Sequence, residues 1–297
     1  MTATVLSENT IPGLPSASAV EILGDTAYII GDDSPYLYRL DAATLAPLAP
    51  VLLFDTKHFD DGRISKKRKP DLEALVALVW PDGRPGLLLL GSGSRPNRAR
   101  GWFVPTAGPA GPEAVDLTAL YEYLRAQLPA GVALNLEAAA TTDTELLLFQ
   151  RTVGRADAAA VFALPLAATL AHLTGTLTAP PPVAVAWFAL PAIVDCPAGF
   201  SGATCAHGHL LVSASVENTA DAVLDGEVLG SFVGVVDLGA RTATFARLAW
   251  ADGRPYRGKV EGLAVRRTLA SGQLELLLVT DDDAGGSTAV TAHLVLG

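Results

Sequence analysis

Two cysteines, five histidines and one methionine in 297 residues leave few ligands for several chemistries. Cys196 and Cys205 share one glycine-rich loop and have no CxxC spacing, so a zinc knuckle or iron–sulfur cluster lacks its ligand set there. They suit either a small disulfide loop or two ordinary thiols. The histidines, His58, His172, His207, His209 and His293, are scattered and never recur in phase, which removes support for a histidine-bound zinc and for a Ser-His-Asp triad. No GxSxG and no P-loop occurs. Cations are scarce: 21 Lys and Arg stand against 31 Asp and Glu, a net charge of −10. Nucleic acid needs clustered positive charge and is not an expected partner. No apolar run approaches the roughly 20 residues of a membrane helix, so no membrane partner is expected either. Residues 1–10 lack the basic start and apolar centre of a secretory leader. The cytoplasm is therefore the default location, with a secreted or periplasmic one open and the oligomeric state unknown.

Half of the residues are hydrophobic, enough for a sizeable core, and the Ala- and Leu-rich, Met-poor composition is that of a GC-rich bacterial genome. The apolar residues fall into a repeated phrase of three short runs bounded by Gly, Pro, Asp or Asn. One copy is Ala19–Leu23, then 26–33, then 36–41; another is 71–75, 87–92 and 101–104; a third is 135–139, 145–151 and 160–164. A fourth copy, 201–204, 209–213 and 232–237, lacks the acidic opening residue, and a fifth covers 260–264, 274–283 and 289–296. A weaker fourth run follows in most copies, as at 49–54, 183–188 and 242–248. Repeats of this length with short antiparallel strands predict an all-β chain, a single β-propeller of four-stranded blades. The expected blades are roughly 16–56, 70–118, 132–190, 200–250 and 258–297 plus 2–8, making one five-bladed domain over 1–297, with six blades as the alternative. The last copy has no fourth run, so residues 2–6 are expected to supply the missing outer strand and close the ring. Apolar spacing predicts one short outer helix over 115–128, capped by Asp116, and a weaker one over 167–173.

In a propeller the first strand of each blade lines the channel. Glu21, Glu73, Glu137 and Glu261 open four of the five copies, so they are expected to converge as a ring of carboxylates. Like charges so close must raise some pKa values or draw in cations. Lys259 and Asn135, two residues before their glutamates, share the strand face and can compensate. A Ca²⁺ ion, which takes six to eight oxygen ligands, is the other compensator. Alternatively, each glutamate could accept hydrogen bonds from the neighbouring blade and act as a structural lock. Acidic turns between second and third strands occur at Asp32-Asp33, at 216–221 with 225–227, and at Asp281-Asp282-Asp283. The most polar stretch, 57–70, carries Arg63, Lys66, Lys67, Arg68 and Lys69, either a solvated loop or a basic lip able to hold a phosphate or carboxylate.

The Lys259-Val260-Glu261-Gly262-Leu263-Ala264 phrase, the stretch 66–73, the Leu89–Ser94 run and the 225–230 run resemble the phytase-like or esterase-like β-propeller group, as an uncharacterised bacterial branch. The resemblance implies that Glu21, Glu73, Glu137 and Glu261, together with Asp32 and Asp281, contact calcium or substrate. The chain departs from that group in showing five repeats rather than six and in lacking the fourth glutamate. The resulting expectation is a calcium-dependent hydrolase of a small anionic ester, phosphoester or lactone. Glu137 and Glu261 are the candidate acid/base residues, and Lys69, Arg151 and Lys259 would hold the substrate anion. The competing class is a non-catalytic scaffold for a protein or glycan.

Overall fold

A computed structural model describes residues 1–60, 62–152, 159–218 and 226–296. Apart from two short two-stranded pairs, Phe59–Asp60 with Arg63–Ile64 and Ala192–Ile193 with Cys196–Pro197, its strands form groups of four. The first is Ala17–Leu23, Thr26–Gly31, Tyr36–Asp41 and Pro47–Leu52; the second is Leu72–Val79, Pro85–Gly91, Arg100–Pro105 and Glu113–Asp116; the third is Leu136–Thr141, Glu145–Gln150, Ala159–Pro165 and Ala184–Phe188. The strands Gly199–Ala206, His209–Asn218, Glu227–Asp237 and Thr242–Trp250 make a fourth group. Lys259–Thr268, Leu274–Asp281, Ser287–Val295 and the N-terminal Thr2–Thr10 make a fifth. These last two groups are joined into one eight-stranded sheet, because the N-terminal strand pairs antiparallel with Ser287–Val295 and also parallel with Thr242–Trp250. The expected closing strand is thus longer than residues 2–6, continuing past a register shift between Val5 and Ser7.

The first strands of the groups pack beside one another in cyclic order, the last against the first. A separate apolar cluster fills each gap between neighbouring groups. Leu87, Leu89 and Trp102 meet Ile30 and Leu37 in one; Phe149 and Val161 meet Phe200 and Val212 in another. Ala3 and Val5 of the N-terminal strand enter the cluster between groups four and five. Alternation along each strand supplies one side chain to each of two clusters, as the period of two requires. Burial of such side chains contributes about 1.5–3 kcal/mol each.

Helix α1, Thr118–Arg125, is shorter than the expected 115–128. Val115 belongs to a strand instead, paired with Gly101, because a β-branched residue beside an open sheet edge gains more from the ladder than from a helix start. Asp116 does serve the helix, accepting from the Thr118 N–H at 2.9 Å. Leu120, Tyr121 and Leu124 are buried between groups two and three, and the Tyr121 hydroxyl donates to the Gly91 carbonyl at 2.7 Å. Helix α2, Leu166–Leu173, packs against group three. Among the described residues no helix is long and apolar enough to cross a membrane. Cys196 and Cys205 are separate thiols, and burial, reinforced by Glu21, pushes Cys205 up to about 11.

Candidate functional site

Every first strand contains a one-residue register shift at the same level. The residue left out of the ladder is Ser18, Glu73, Glu137, Ser201 or Glu261. A bulge at this point bends the strand and re-aims the extra side chain. This corrects the expected phase of the carboxylates. Glu73, Glu137 and Glu261 are equivalent, but the equivalent of group one is Ser18. Glu21 lies three residues further along, opposite Tyr28. Its carboxylate accepts from the Ile22 N–H at 3.1 Å and from the backbone of Ala77 in the adjacent first strand. Burial raises its pKa to about 7. Glu21 therefore behaves as the lock between groups, not as a member of the carboxylate set.

The three bulge glutamates line a cavity of about 480 Å³, together with Asp32, Lys69, Arg151, Lys259 and Asp281. All the candidate site residues other than Glu21 are thus brought together. One corner is built by Asp32, Asp71 and Glu73, each offering a carboxylate oxygen within 4.8 Å of the others. Asp71 precedes Glu73 by two residues and adopts a left-handed φ of 57°, a conformation that aspartate tolerates. The Lys69 ammonium contacts the Asp32 carboxylate and lies 2.9 Å from Asp71. Arg98 Nη1 reaches the other Asp71 oxygen at 2.8 Å and donates to Ser94 Oγ at 2.7 Å. Glu73 has no hydrogen-bond partner among the described residues. When ionised, these three carboxyl groups have the spacing to hold a hard cation such as Ca²⁺, which would displace the Lys69 ammonium from Asp32 and Asp71.

On the opposite side Arg151, only 7% exposed, lies 3.0 Å from Glu217, 3.3 Å from Glu137 and 3.8 Å from Glu261. Lys259 lies 2.8 Å from Glu217, 3.1 Å from Glu261 and 3.0 Å from Asp283. Asn135 Nδ2 donates to Glu137 at 2.5 Å. The two expected compensators, Asn135 and Lys259, both reach their glutamates. Sequence reasoning missed Asp71, Arg98 and Asp283, and placed Glu217 in a loop rather than at the end of a strand. Position two before the bulge, shared by Asp71, Asn135 and Lys259, was the available signal for Asp71. Asp221 and Asp225 lie outside the described residues.

Burial dominates the electrostatics. It raises Glu261 to about 8, against the opposing charges of Lys259 and Arg151 and with the help of Glu137 and Glu217. It raises Asp32 to about 7 against Lys69, and Asp281 to about 6. Glu73 is pushed well above the usual carboxylate range by burial and by the charges of Glu137, Asp71 and Asp32; Glu137 is raised by burial against Arg151 and Lys259. Burial also disfavours charge on Lys69, Lys259 and Arg151, but the surrounding carboxylates outweigh it and hold all three protonated. The cavity thus sets permanent cations beside carboxyl groups that exchange protons near neutral pH, the pairing that general acid–base chemistry needs.

Residues 13–294 match a family described as a family of unknown function (DUF6929), and the chain belongs to that family. The description names no phytase-like or esterase-like group. No protein of curated function matches the sequence. Among solved structures, the glutaminyl cyclase of Myxococcus xanthus is similar with a TM-score of 0.50 and 11% identity, over 99% of this chain and 98% of that one. A tail fiber of Staphylococcus aureus phage P68 is similar with a TM-score of 0.51 and 10% identity, over 100% of this chain and 53% of that one. The β-propeller domain of Myceliophteria thermophila Cps50 (Swd1) aligns with a TM-score of 0.36 and 14% identity, over 94% and 67%. At these identities the likeness to the cyclase and to the tail fiber concerns the fold alone, an all-β arrangement of sheets.

Proposed function

We propose that this member of a family of unknown function is a single five-bladed propeller domain. We further propose that it hydrolyses a small anionic ester, phosphoester or lactone in the cavity at its channel mouth, as a branch akin to the phytase-like and esterase-like propellers. The observation that carries this reading is the juxtaposition of Glu137 and Glu261 with the buried cations Arg151 and Lys259. Those cations, with Lys69, would hold the substrate anion by charge-assisted hydrogen bonds. Glu137, which burial raises against the opposing pull of Arg151, Lys259 and the Asn135 hydrogen bond, would in its ionised form accept a proton from water as that water attacks the carbonyl carbon or phosphorus. Glu261, held protonated near neutrality, would donate its proton to the departing oxygen, giving the free acid and an alcohol. Asp32, Asp71 and Glu73 would hold Ca²⁺, which when bound polarises a substrate oxygen and lowers the pKa of water. The likeness to a glutaminyl cyclase adds no residue to this reading, since fold does not carry function.

The test is hydrolysis of chromogenic carboxylic esters, phosphoesters and lactones by metal-stripped protein, with and without added Ca²⁺. Glu137→Gln and Glu261→Gln should each lower kcat by roughly 10²-fold or more on the accepted class. No turnover of any class, or turnover unchanged in both variants, would replace the hydrolase with the scaffold reading.

A further inference from the structure

The fourth copy of the sequence phrase brings Ser201 to the bulge, where three other copies bring a glutamate. The position two before the bulge is degenerate there as well. It is Ser16, Asp71, Asn135 and Lys259 in groups one, two, three and five, and Gly199 in group four. The first four all line the cavity, and Gly199 does not. Ser201 turns its hydroxyl to Ser213 and Ser215, at 3.2 and 3.3 Å. Among the described residues, Glu217 is the one member of group four that lines the cavity. The sector is filled from outside. Arg151 follows the second strand of group three, its N–H donating to the Asn135 carbonyl at 2.9 Å, and its buried side chain lies across Gly199. A Cβ at position 199 would stand 2.5 Å from Arg151 Cγ, 2.9 Å from Nε and 3.1 Å from Cδ, its three nearest neighbours among the described residues. The backbone itself makes no demand for glycine, since the φ of Gly199 lies outside the left-handed region. From this seat the guanidinium reaches Glu137 of group three, Glu217 of group four and, at 3.8 Å, Glu261 of group five. An arginine stem samples several rotamers; packing along a strand that offers no side chain confines it.

We propose that Gly199 is a positioning residue: the side chain missing there is the seat of the Arg151 stem, and the seat aims the guanidinium into the cavity as a fixed donor for the anionic group of the substrate. The fourth sector thus holds a cation brought in from group three where its neighbours present carboxylates. This explains why both the bulge and the position two before it are small in the fourth copy. The seat stands on packing alone. Its bearing on the substrate anion rests on the hydrolase reading and adds a residue to it that does not itself touch the substrate.

The experiment is Gly199→Ala in the full chain, which adds one methyl group. With Arg151 present, that methyl must push the stem off its seat, and the melting temperature should fall by about 3–8 °C, the scale of overpacking a buried site. In an Arg151→Ala background the methyl has room. The same substitution should there leave the melting temperature unchanged or raise it slightly, since alanine restricts the unfolded chain. A second measurement does not depend on the folding of Arg151→Ala. The Arg151 Nε–H resonance, assigned by its absence from Arg151→Lys, should move in Gly199→Ala while the other arginine Nε–H resonances stay. An equal fall in melting temperature in both backgrounds, or an Arg151 resonance that stays in place, overturns the seat. On whichever substrate class is accepted, Gly199→Ala should raise KM by about tenfold, the loss of one charge-assisted hydrogen bond, and keep kcat within about threefold, as expected when uniform binding is lost. A lowered kcat at unchanged KM overturns the anion-holding role of Arg151. The resonance reports the seat whether or not any substrate is turned over, so either reading can fail without the other.

Discussion

Glu261→Gln isolates the protonation state on which the proposed chemistry depends. Glu261 is 6% exposed. One carboxylate oxygen lies 3.1 Å from Lys259, and the other lies 3.8 Å from Arg151 without a hydrogen bond. Burial raises its pKa from 4.5 to about 8. A carboxyl group raised in the folded state stays protonated while its unfolded counterpart ionises, so unfolding releases a proton between those two values. Stability is then fully present below about pH 4.5 and falls as pH rises toward 8. At about 1.4 kcal/mol per pH unit, that interval sets a ceiling of about 5 kcal/mol on the loss. Glutamine has no proton to lose, so the variant lacks this descent. Lys259 keeps Glu217 and Asp283 at 2.8 and 3.0 Å, so the substitution strands no ammonium. Near pH 5 the variant should be within about 1 kcal/mol of wild type, the usual scale of one altered hydrogen bond. Near pH 9 it should be more stable by about 2–4 kcal/mol, allowing for partial relief by neighbouring charges. Denaturant unfolding with chelator present, at intervals from about pH 5 to 9, measures both ends. A deficit of constant size across the range would mean that Glu261 is ionised throughout as the partner of Lys259 and Arg151, and its role as a proton donor would fall.

Arg151→Met should destabilise by about 3–5 kcal/mol near neutral pH by leaving Glu137 and Glu217 short of their shared cation. The deficit should shrink toward acid pH as Glu137, which burial raises, protonates, and a pH-independent loss would point to packing instead. Glu73→Gln should weaken Ca²⁺ binding by about tenfold or more, since it removes one of three carboxylates, while Glu261→Gln leaves it nearly unchanged; titration of metal-stripped protein followed by melting temperature reads both. Deleting residues 1–10 removes a strand paired on both sides and should lower the melting temperature by about 10 °C or more. An unchanged melting curve would contradict the closing role of that strand.

Much of the fold was legible because its cause is local. Apolar runs such as Leu274–Asp281, bounded by turn residues, mark strands whatever they pair with. The helix start at 115 failed because Val115 answers to a neighbour, Gly101, fourteen positions earlier. The site was legible where its residues open a strand, at Glu73, Glu137 and Glu261. Glu21 was misplaced because its phrase looks the same while its ladder does not. The pair Ala17–Gly31 fixes the register, and the bulge then falls on Ser18. Pairing is a two-strand property that no single strand displays. The ion pairs were less legible still, since Arg151 and Glu217 are 66 positions apart and nothing local couples them.

The serines argue that the glutamates are not there to hold the groups together. Where a glutamate is missing from the bulge, hydroxyls make the bonds between neighbouring sheets. Ser18 Oγ donates to the Leu72 carbonyl at 2.5 Å. In group four, Ser201 lies 3.3 Å from Ser215, whose hydroxyl donates to the Val260 carbonyl at 2.5 Å. Glu21, deeper along its strand, also bonds across to the next sheet. Glu73, Glu137 and Glu261 make no such backbone bonds among the described residues; their partners are side chains in the cavity or, for Glu73, none. A small hydroxyl suffices to lock two sheets, and it carries none of the desolvation penalty of a buried carboxylate. Retaining carboxylates at three bulges, with buried cations brought in to balance them, makes physical sense if their charge and protons are used by something that enters the cavity.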